Sequence, residues 1–564
     1  MSQKKIIRQF LTIVAIVVLV CVAANWMHVR VDLTADKRYT LSEQSRTLVQ
    51  NLEAPVLVRV YLEGKMPLNM RPLQRSVHSL LENLQRLSLH KIEVDYVNLS
   101  AMKSQREKET AYKSLYDKGA LPYLVQEKNE QGGITQMELF PTAVVNMSGK
   151  SHTINFLPPN NAIAEEENIN NAIQNLEYLF ANALDIVSRK TFKKIAFIEG
   201  HDELNARQTA DITEELSNYF RVDRLLLHGE VHSLDGYDVA VVAKPRLAWS
   251  EADKWAIDQF VMRGGKMLWL VDAVTVHEDS LSKGFLTFGL VNDINLNDLF
   301  FRYGVRINAN VVQDLQCAMI PVNVAPAGMP SKFSPLPWTY YPLLTSSDKS
   351  PITRSLNAIK TEFPGSIDTL KTADIHKQVL LSSSQYALVK SAPYAVSLEQ
   401  VTQDIEPQRY TQKFVPVAVL LSGEFTSIFK NRVWQQYPQS QPVEMREKSP
   451  FTQQVVVADG DVIRNDVLAN GNAYPLGYDR YMKQVLYGNR DFICNVINFL
   501  TDEKDVMTLR NKVITLRLLD RARIVKERSK WLIINTLTPF IVLTIGGGVF
   551  LWTRKKRWIL FATD

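Results

Sequence analysis

Cysteine is scarce: Cys21, Cys317 and Cys494 are the only three in 564 residues. That number excludes a disulfide scaffold and a four-cysteine zinc site. Cys21 falls in an apolar run, and Cys317 and Cys494 are either buried thiols or one pair. Charge of one sign is also missing, since 65 Lys and Arg stand against 59 Asp and Glu, leaving +6 spread along the chain. Such a balance is no nucleic-acid footprint. Glycine and proline, 23 and 24 residues, are too few for a low-complexity chain. No Cys-x-x-Cys and no Gly-x-Ser-x-Gly occurs, which removes thiol exchange and the strand-to-helix serine nucleophile. SGKS at 148–151 lacks the first glycine of a phosphate loop, because Val144 occupies its place. With no nucleotide-hydrolysing core, any energy input has to come from another subunit.

What is present is a large globular chain, 46% apolar and 9% aromatic. At roughly 150 residues per domain it holds about three or four folded units. Two long uncharged runs frame it. Residues 9–29, centred on FLTIVAIVVLVCVAA, are long enough to cross ~30 Å of hydrocarbon. The run is long for a signal peptide and weak in cleavage-site residues, and Val20 before Cys21 argues against a lipoprotein. Residues 531–553 (WLIINTLTPFIVLTIGGGVFLWT) form the second run, followed by RKKR at 554–557. The basic residues at 1–8 and at 554–564 place both termini in the cytoplasm, and the bulk of the chain is expected on the periplasmic side of an inner membrane. Against this sense runs the connector 506–530, which carries eight basic residues from Arg510 to Lys530. Long translocated domains override loop charge, and such a connector suits lipid headgroups, an acidic partner or a solvated face.

Between the runs the patterning predicts α/β architecture. In 36–190 a short helix after Ser42 leads into strand 54–64, helix 73–87, strand 90–99, helix 101–117, strands from 121, 142 and 151, and a helix over 161–189. That order is the order of a thioredoxin-like domain. It has no Cys-x-x-Cys, since EGKMP stands at the end of the first strand, and Pro122 is left the structural role of the proline turn. From residue 191 to 505 strands and helices alternate as in a doubly wound sheet: 193–200, 205–220, 220–227, 238–245, 250–265 and 266–273, then strands 416–425 and 454–461 and helix 487–502.

Ligands of such sheets lie beyond the carboxyl ends of the strands, so IEGHDE, AKP and VDA would line any cleft. Glu199, His201, Asp202 and Glu203 offer imidazole and carboxylate for acid/base work or metal binding, or serve as a helix cap. Asp459 and Asp461 offer hard oxygen ligands at a strand end, or form an acidic turn. His228 and His232 lack the glutamate of a zinc-peptidase helix. The segment 321–344 gathers six prolines with Trp338, Tyr340 and Tyr341, and is expected as a long packed loop or a partner surface. No catalytic residue, metal or cofactor is assigned.

RYTLSEQS (38–45), IEGHDE (198–203), DQFVMRGGKMLWLVD (258–272), NDLFFRYGVRINANVVQDLQC (297–317), PVAVLLSGEFTSIFKNR (416–432), ADGDVIRND (458–466) and PLGYDRY (475–481) together resemble the GldG family, gliding-motility-associated components of an ABC transporter in Bacteroidota. The resemblance runs from about residue 30 to 552 and implies a non-catalytic inner-membrane subunit beside a permease and an ATPase. It implies an ABC-transporter-auxiliary-type region related to glutamine-amidotransferase-like and flavodoxin-like folds, without their catalytic residues. An unidentified ligand or envelope component would be the partner of the exterior arm. A tethered enzyme on an envelope glycan, using Glu199, His201, Asp459 and Asp461, and a scaffold of a motility or secretion assembly are the alternatives.

Overall fold

The computed structural model describes residues 12, 14–16 and 19, most of 40–511, and 521–560. The first apolar run, 9–29, therefore lies largely outside the described residues. Contacts divide the chain into two units, 1–513 and 514–564.

The first unit begins with helix α1 (Glu43–Gln50), capped by Ser42, whose Oγ accepts from Ser45 N at 3.3 Å. Then follow β1 (Val56–Val60), α2 (Arg71–Leu87), β2 (Ile92–Tyr96), α3 (Gln105–Asp117), β3 (Tyr123–Lys128), β4 (Ile134–Leu139), β5 (Thr142–Met147), β6 (Lys150–Asn155) and α4 (Glu165–Ser188). β1 pairs parallel with β2 and antiparallel with β5, which pairs with β6, so the sheet order is β2-β1-β5-β6. Leu73, Val77, Leu81 and Leu84 recur every three or four residues and bury one side of α2 in the core built on this sheet. The Glu177 carboxylate of α4 accepts from Ser42 N at 2.7 Å, Ser42 Oγ at 2.7 Å and Ser45 Oγ at 2.9 Å, tying the chain's entry to the module. β3 and β4 form a hairpin apart from this sheet. Pro122 therefore precedes the outlying hairpin, and Pro141 stands before the sheet strand β5.

A larger mixed sheet follows. Its parallel part comprises β7 (Lys194–Glu199), β8 (Arg221–Leu226), β9 (Val239–Ala243) and β10 (Lys266–Leu270), with α5 (Ala210–Ser217) and α6 (Glu251–Met262) in the connections. After α7 (Asn297–Tyr303), the sheet is extended by β11 (Cys317–Asn323), β12 (Phe333–Ser346), β13 (Ile375–Ser382), β14 (Pro416–Thr426) and β15 (Lys448–Val457), and α8 (Asn489–Thr501) comes after them. The order is β8-β7-β9-β10-β15-β14-β13-β12-β11, parallel from β8 to β15 and antiparallel beyond. Every residue of β9 is buried, the continuous apolar strand that a sheet covered on both faces requires. One buried carboxylate in this core is fully bonded: Asp258 of α6 accepts from Tyr303 Oη at 3.0 Å, Ile428 N at 3.1 Å and Ser427 Oγ at 2.6 Å.

The segment 321–344 differs from the loop expected of it. β11 and β12 form an antiparallel hairpin, with Met319 opposite Pro337 and Pro321 opposite Pro335. Prolines two residues apart withhold their missing N–H groups on one edge of the strand, leaving Ser334 and Leu336 between them to serve the ladder. Cys317 and Cys494 are free thiols, not a pair.

The second unit contains helix α9 (Arg521–Leu560), which runs without a break through the end of the basic connector and the second apolar run. Glu527–Trp552 has the length and apolarity to cross a membrane. Thr536, Thr538 and Thr544 return their hydroxyls to the carbonyls of Leu532, Ile534 and Phe540 at 2.7–2.8 Å, so no hydroxyl of theirs is left for hydrocarbon to desolvate.

Replacing Asp258 by alanine leaves a tyrosine hydroxyl, a serine hydroxyl and a backbone N–H buried without acceptors. We expect a loss of roughly 3 kcal/mol, read as a lower urea midpoint with an unchanged slope; a shift below about 0.5 kcal/mol would refute the role given to this carboxylate.

Candidate functional site

Parallel strands bring their carboxyl ends to one edge, and the sequence places charged residues at each of them. β7 ends in Glu199, Gly200 and His201, β9 in Lys244, β10 leads to Asp272, and β15 to Asp459 and Asp461. Two separate constellations result.

The first gathers around Lys244, whose backbone adopts φ +56° while its N–H donates to Leu270 O at 2.8 Å. Its ammonium lies 3.1 Å from Asp272 Oδ2 and also bonds Asp461. Gly460 is needed here: a Cβ on it would fall 2.5 Å from that of Lys244, and its N–H donates to Asp272 Oδ1 at 2.6 Å. Asp459 accepts from Asp461 N at 2.7 Å and Glu362 N at 2.8 Å. Arg464 bonds Glu362 and reaches Asp461 Oδ1 at 2.6 Å, and Lys360 reaches Glu362 at 2.7 Å. Asn489, at the start of α8, closes the far side by accepting from Lys360 N at 3.0 Å and donating to Val462 O at 3.1 Å.

The electrostatics follow from burial and pairing. Burial opposes the Lys244 charge, yet Asp272 and Asp461 hold its pKa above the ordinary lysine value. Burial, together with Asp461 and Asp272, pushes the Asp459 carboxyl well up. Burial likewise raises Asp272. For Glu362 burial is outweighed by Lys360 and Arg464, which hold its carboxyl far below the usual range. Lys244, Lys360 and Arg464 thus stand among four carboxyl groups, Asp272, Asp459, Asp461 and Glu362.

Asp272, Asp459 and Asp461 bring carboxylate oxygens within 4.8 Å of one another, a spacing compatible with a divalent cation. The chain's own ammonium, from Lys244, bonds two of the three, and both oxygens of the third are engaged by backbone N–H groups. The donor set fits a lysine-neutralised cluster better than a metal centre.

The second constellation surrounds His201. Its ring stacks on Trp249 at 3.9 Å and 6°, with Nδ1 3.1 Å from Glu203 Oε1 and Nε2 3.3 Å from Asp253 Oδ2. Glu203 also accepts from His201 N at 2.7 Å, and the His201 carbonyl accepts from Arg246 N and Leu247 N. Glu199 turns away to bond Arg224 of β8, and Asp202, exposed at φ +56°, lies 3.5 Å from Arg246. Among the described residues no hydrogen bond or ion pair joins the His201 group to the Lys244 group.

Trp338 and Tyr340 are buried in a satellite core with Phe363 and Tyr394, their own rings 4.9 Å apart. Tyr341 is half-buried, packs edge-on to Phe363 at 5.5 Å and carries the Lys360 ammonium 5.1 Å above its ring. The sequence reading missed Lys360 and Glu362: Lys360 ends the strand Ile359–Lys360, too short to show a period, and Glu362 follows it without a motif signal. Arg464, three residues after Asp461 in IRND, was within reach of the spacing.

The family profile described as an ABC-type uncharacterized transport system matches residues 192–496, more than half of the chain and the whole of the sheet that carries both constellations. The chain belongs to this ABC-transport auxiliary family. A second profile, a domain of unknown function named DUF7088, matches residues 35–146. No curated protein matches. A solved structure titled mmIFT52 N-terminal domain is similar at 14% identity over 55% of this chain and 99% of that one, with a TM-score of 0.32.

Two tests follow from the geometry. Lys244→Ala should lower the thermal midpoint by several degrees, because it strands buried carboxylates. Millimolar calcium should restore part of that loss in the variant and leave the native protein unchanged; no loss, or equal calcium effects on both, would contradict the cluster as described. For His201, burial works against protonation, but bonds to Asp253 and Glu203 raise its pKa to about 9. A raised pKa means stability that is complete below the ordinary value of 6.5 and lost as pH rises through about 9. The thermal midpoint should therefore fall across that window, and His201→Gln should flatten the fall.

Proposed function

We propose that this auxiliary protein of an ABC transport system is a membrane-anchored, non-catalytic subunit resembling the GldG component and working beside a separate permease and ATPase. The family match over residues 192–496 carries the reading, and the absence of a phosphate loop from the sequence supports it. The filled edge of the parallel sheet supports the same reading, since its charged groups pair with one another around a cavity of only about 30 Å³. The strand orders β2-β1-β5-β6 and β8-β7-β9-β10-β15 support reading 36–190 as thioredoxin-like and the parallel part of 191–505 as flavodoxin-like. We place spans at 9–29 and 531–553, with both termini cytoplasmic and the exterior arm periplasmic, where it would meet an envelope component. The charge of RKKR after the apolar stretch of α9 supports that sense.

Purification of the tagged chain from its native membranes in mild detergent should recover a permease and an ATPase in near-stoichiometric amounts, with ATPase activity in the eluate. Alkaline phosphatase joined after residue 530 should be active, and joined after residue 564 inactive. Recovery of the protein alone would sink the accessory reading, and the reverse fusion pattern would sink the topology.

A further inference from the structure

A second polar cavity, of about 180 Å³, shares no residue with the charged cluster. It lies between the buried strand Asn310–Asp314, the proline-rich part of β12, the strand Ala387–Ser391 and the turns around 400–410. Its floor holds an unmet acceptor: Gln313 is 2% exposed and its Oε1 has no hydrogen-bond partner. An acceptor buried in that state calls for a donor from elsewhere. Its wall holds unmet positive charge. Lys390 is half-buried and contacts the Tyr340 ring, with Nζ 5.5 Å from the centroid, and the Tyr340 hydroxyl at 3.5 Å. Among the described residues no carboxylate lies within ion-pair distance of it. Arg409 lines the same cavity, with Glu406 only at 4.0 Å. Burial and the charge of Arg409 together push the Lys390 pKa down, and Glu406, the one carboxylate of the lining, pairs at long range with Arg409 and not with Lys390. Trp338 and Tyr410 complete the lining with aromatic surface.

We propose that this cavity binds a small hydroxylated anion, a sugar acid or sugar phosphate of one ring, with its anionic group between Lys390 and Arg409 and a hydroxyl donating to Gln313 Oε1. Each part of such a ligand answers one feature of the cavity. The anion relieves the paired cations, the hydroxyl satisfies the glutamine, and the apolar face of the ring packs on Trp338 and Tyr410. The volume is below that of drug-sized sites, which limits the occupant to about one ring. The site shares no residue with the charged cluster and would give the exterior arm a ligand of its own.

The test is calorimetry on the full chain in detergent with D-glucuronate, D-glucose 6-phosphate, D-glucose and acetate. One or both of the acidic sugars should bind, and which of them does identifies the anionic group. Neutral glucose and acetate should each bind at least tenfold more weakly. Arg409→Ala alters a largely exposed side chain and keeps the fold, and it should weaken the acidic sugar tenfold or more, as should Lys390→Ala. Gln313→Leu should weaken the sugar and leave the feeble binding of acetate unchanged. No binding of either acidic sugar at 10 mM, or equal affinity in Arg409→Ala and the native protein, would overturn the proposal. Because the experiment uses the protein alone, its failure leaves the association with a permease and ATPase untouched.

Discussion

The ammonium of Lys244 between Asp272 and Asp461 is the interaction on which the large sheet depends. β9 and β10 are consecutive, but β15 arrives about 180 residues later and takes its place parallel to β10. Chain connectivity does not bring it there. Three apolar pairs, Leu268 to Leu270 opposite Val455 to Val457, and the exchange of charges at the strand ends beyond them hold it in place. Gly460 N on Asp272 ties the end of β15 to that of β10, and Lys244 on Asp461 ties it to that of β9. The intervening antiparallel strands, the hairpin and the satellite core all hang from that joint.

The same joint decides what the strand ends are available for. In an open parallel sheet the crevice beyond the carboxyl ends is where ligands bind. Here three cations and four carboxyl groups fill it, and both oxygens of Asp459 are engaged by backbone N–H groups. A buried cluster of this kind contributes little net stability compared with an apolar plug, but removing one member is expensive. Its effect is to fix the geometry of the three strand ends.

Much of this was legible beforehand. The strands 193–200, 238–245, 266–273, 416–425 and 454–461 are visible because their residues are apolar on both faces, and the helices at 73–87 and 250–265 because their apolar positions repeat every three or four. The hairpin of β11 and β12 was hidden because proline is a breaker by residue type, while its tolerance depends on which edge of a strand its nitrogen faces, a tertiary property. Asp459 and Asp461 were flagged as an acidic pair, but their meaning is set by Lys244 and Glu362, which are about 215 and 97 residues away along the chain. The HDE triplet illustrates the same limit. Spacing identifies potential ligands, and only packing shows that His201 is held flat on Trp249 by Glu203 and Asp253.

The two units pose different solvation problems, and this bears on how an auxiliary protein works. The first unit buries its apolar strands within itself. The apolar stretch of α9 does not: its side chains from Arg528 to Trp552 are exposed, and its threonine hydroxyls are returned to its own backbone. A helix that satisfies its polar groups internally and leaves its apolar surface uncovered is stable only in hydrocarbon or against other spanning helices. If the protein works beside a permease as proposed, the membrane itself holds the two near one another, and modest contacts made at high effective concentration need not be individually strong.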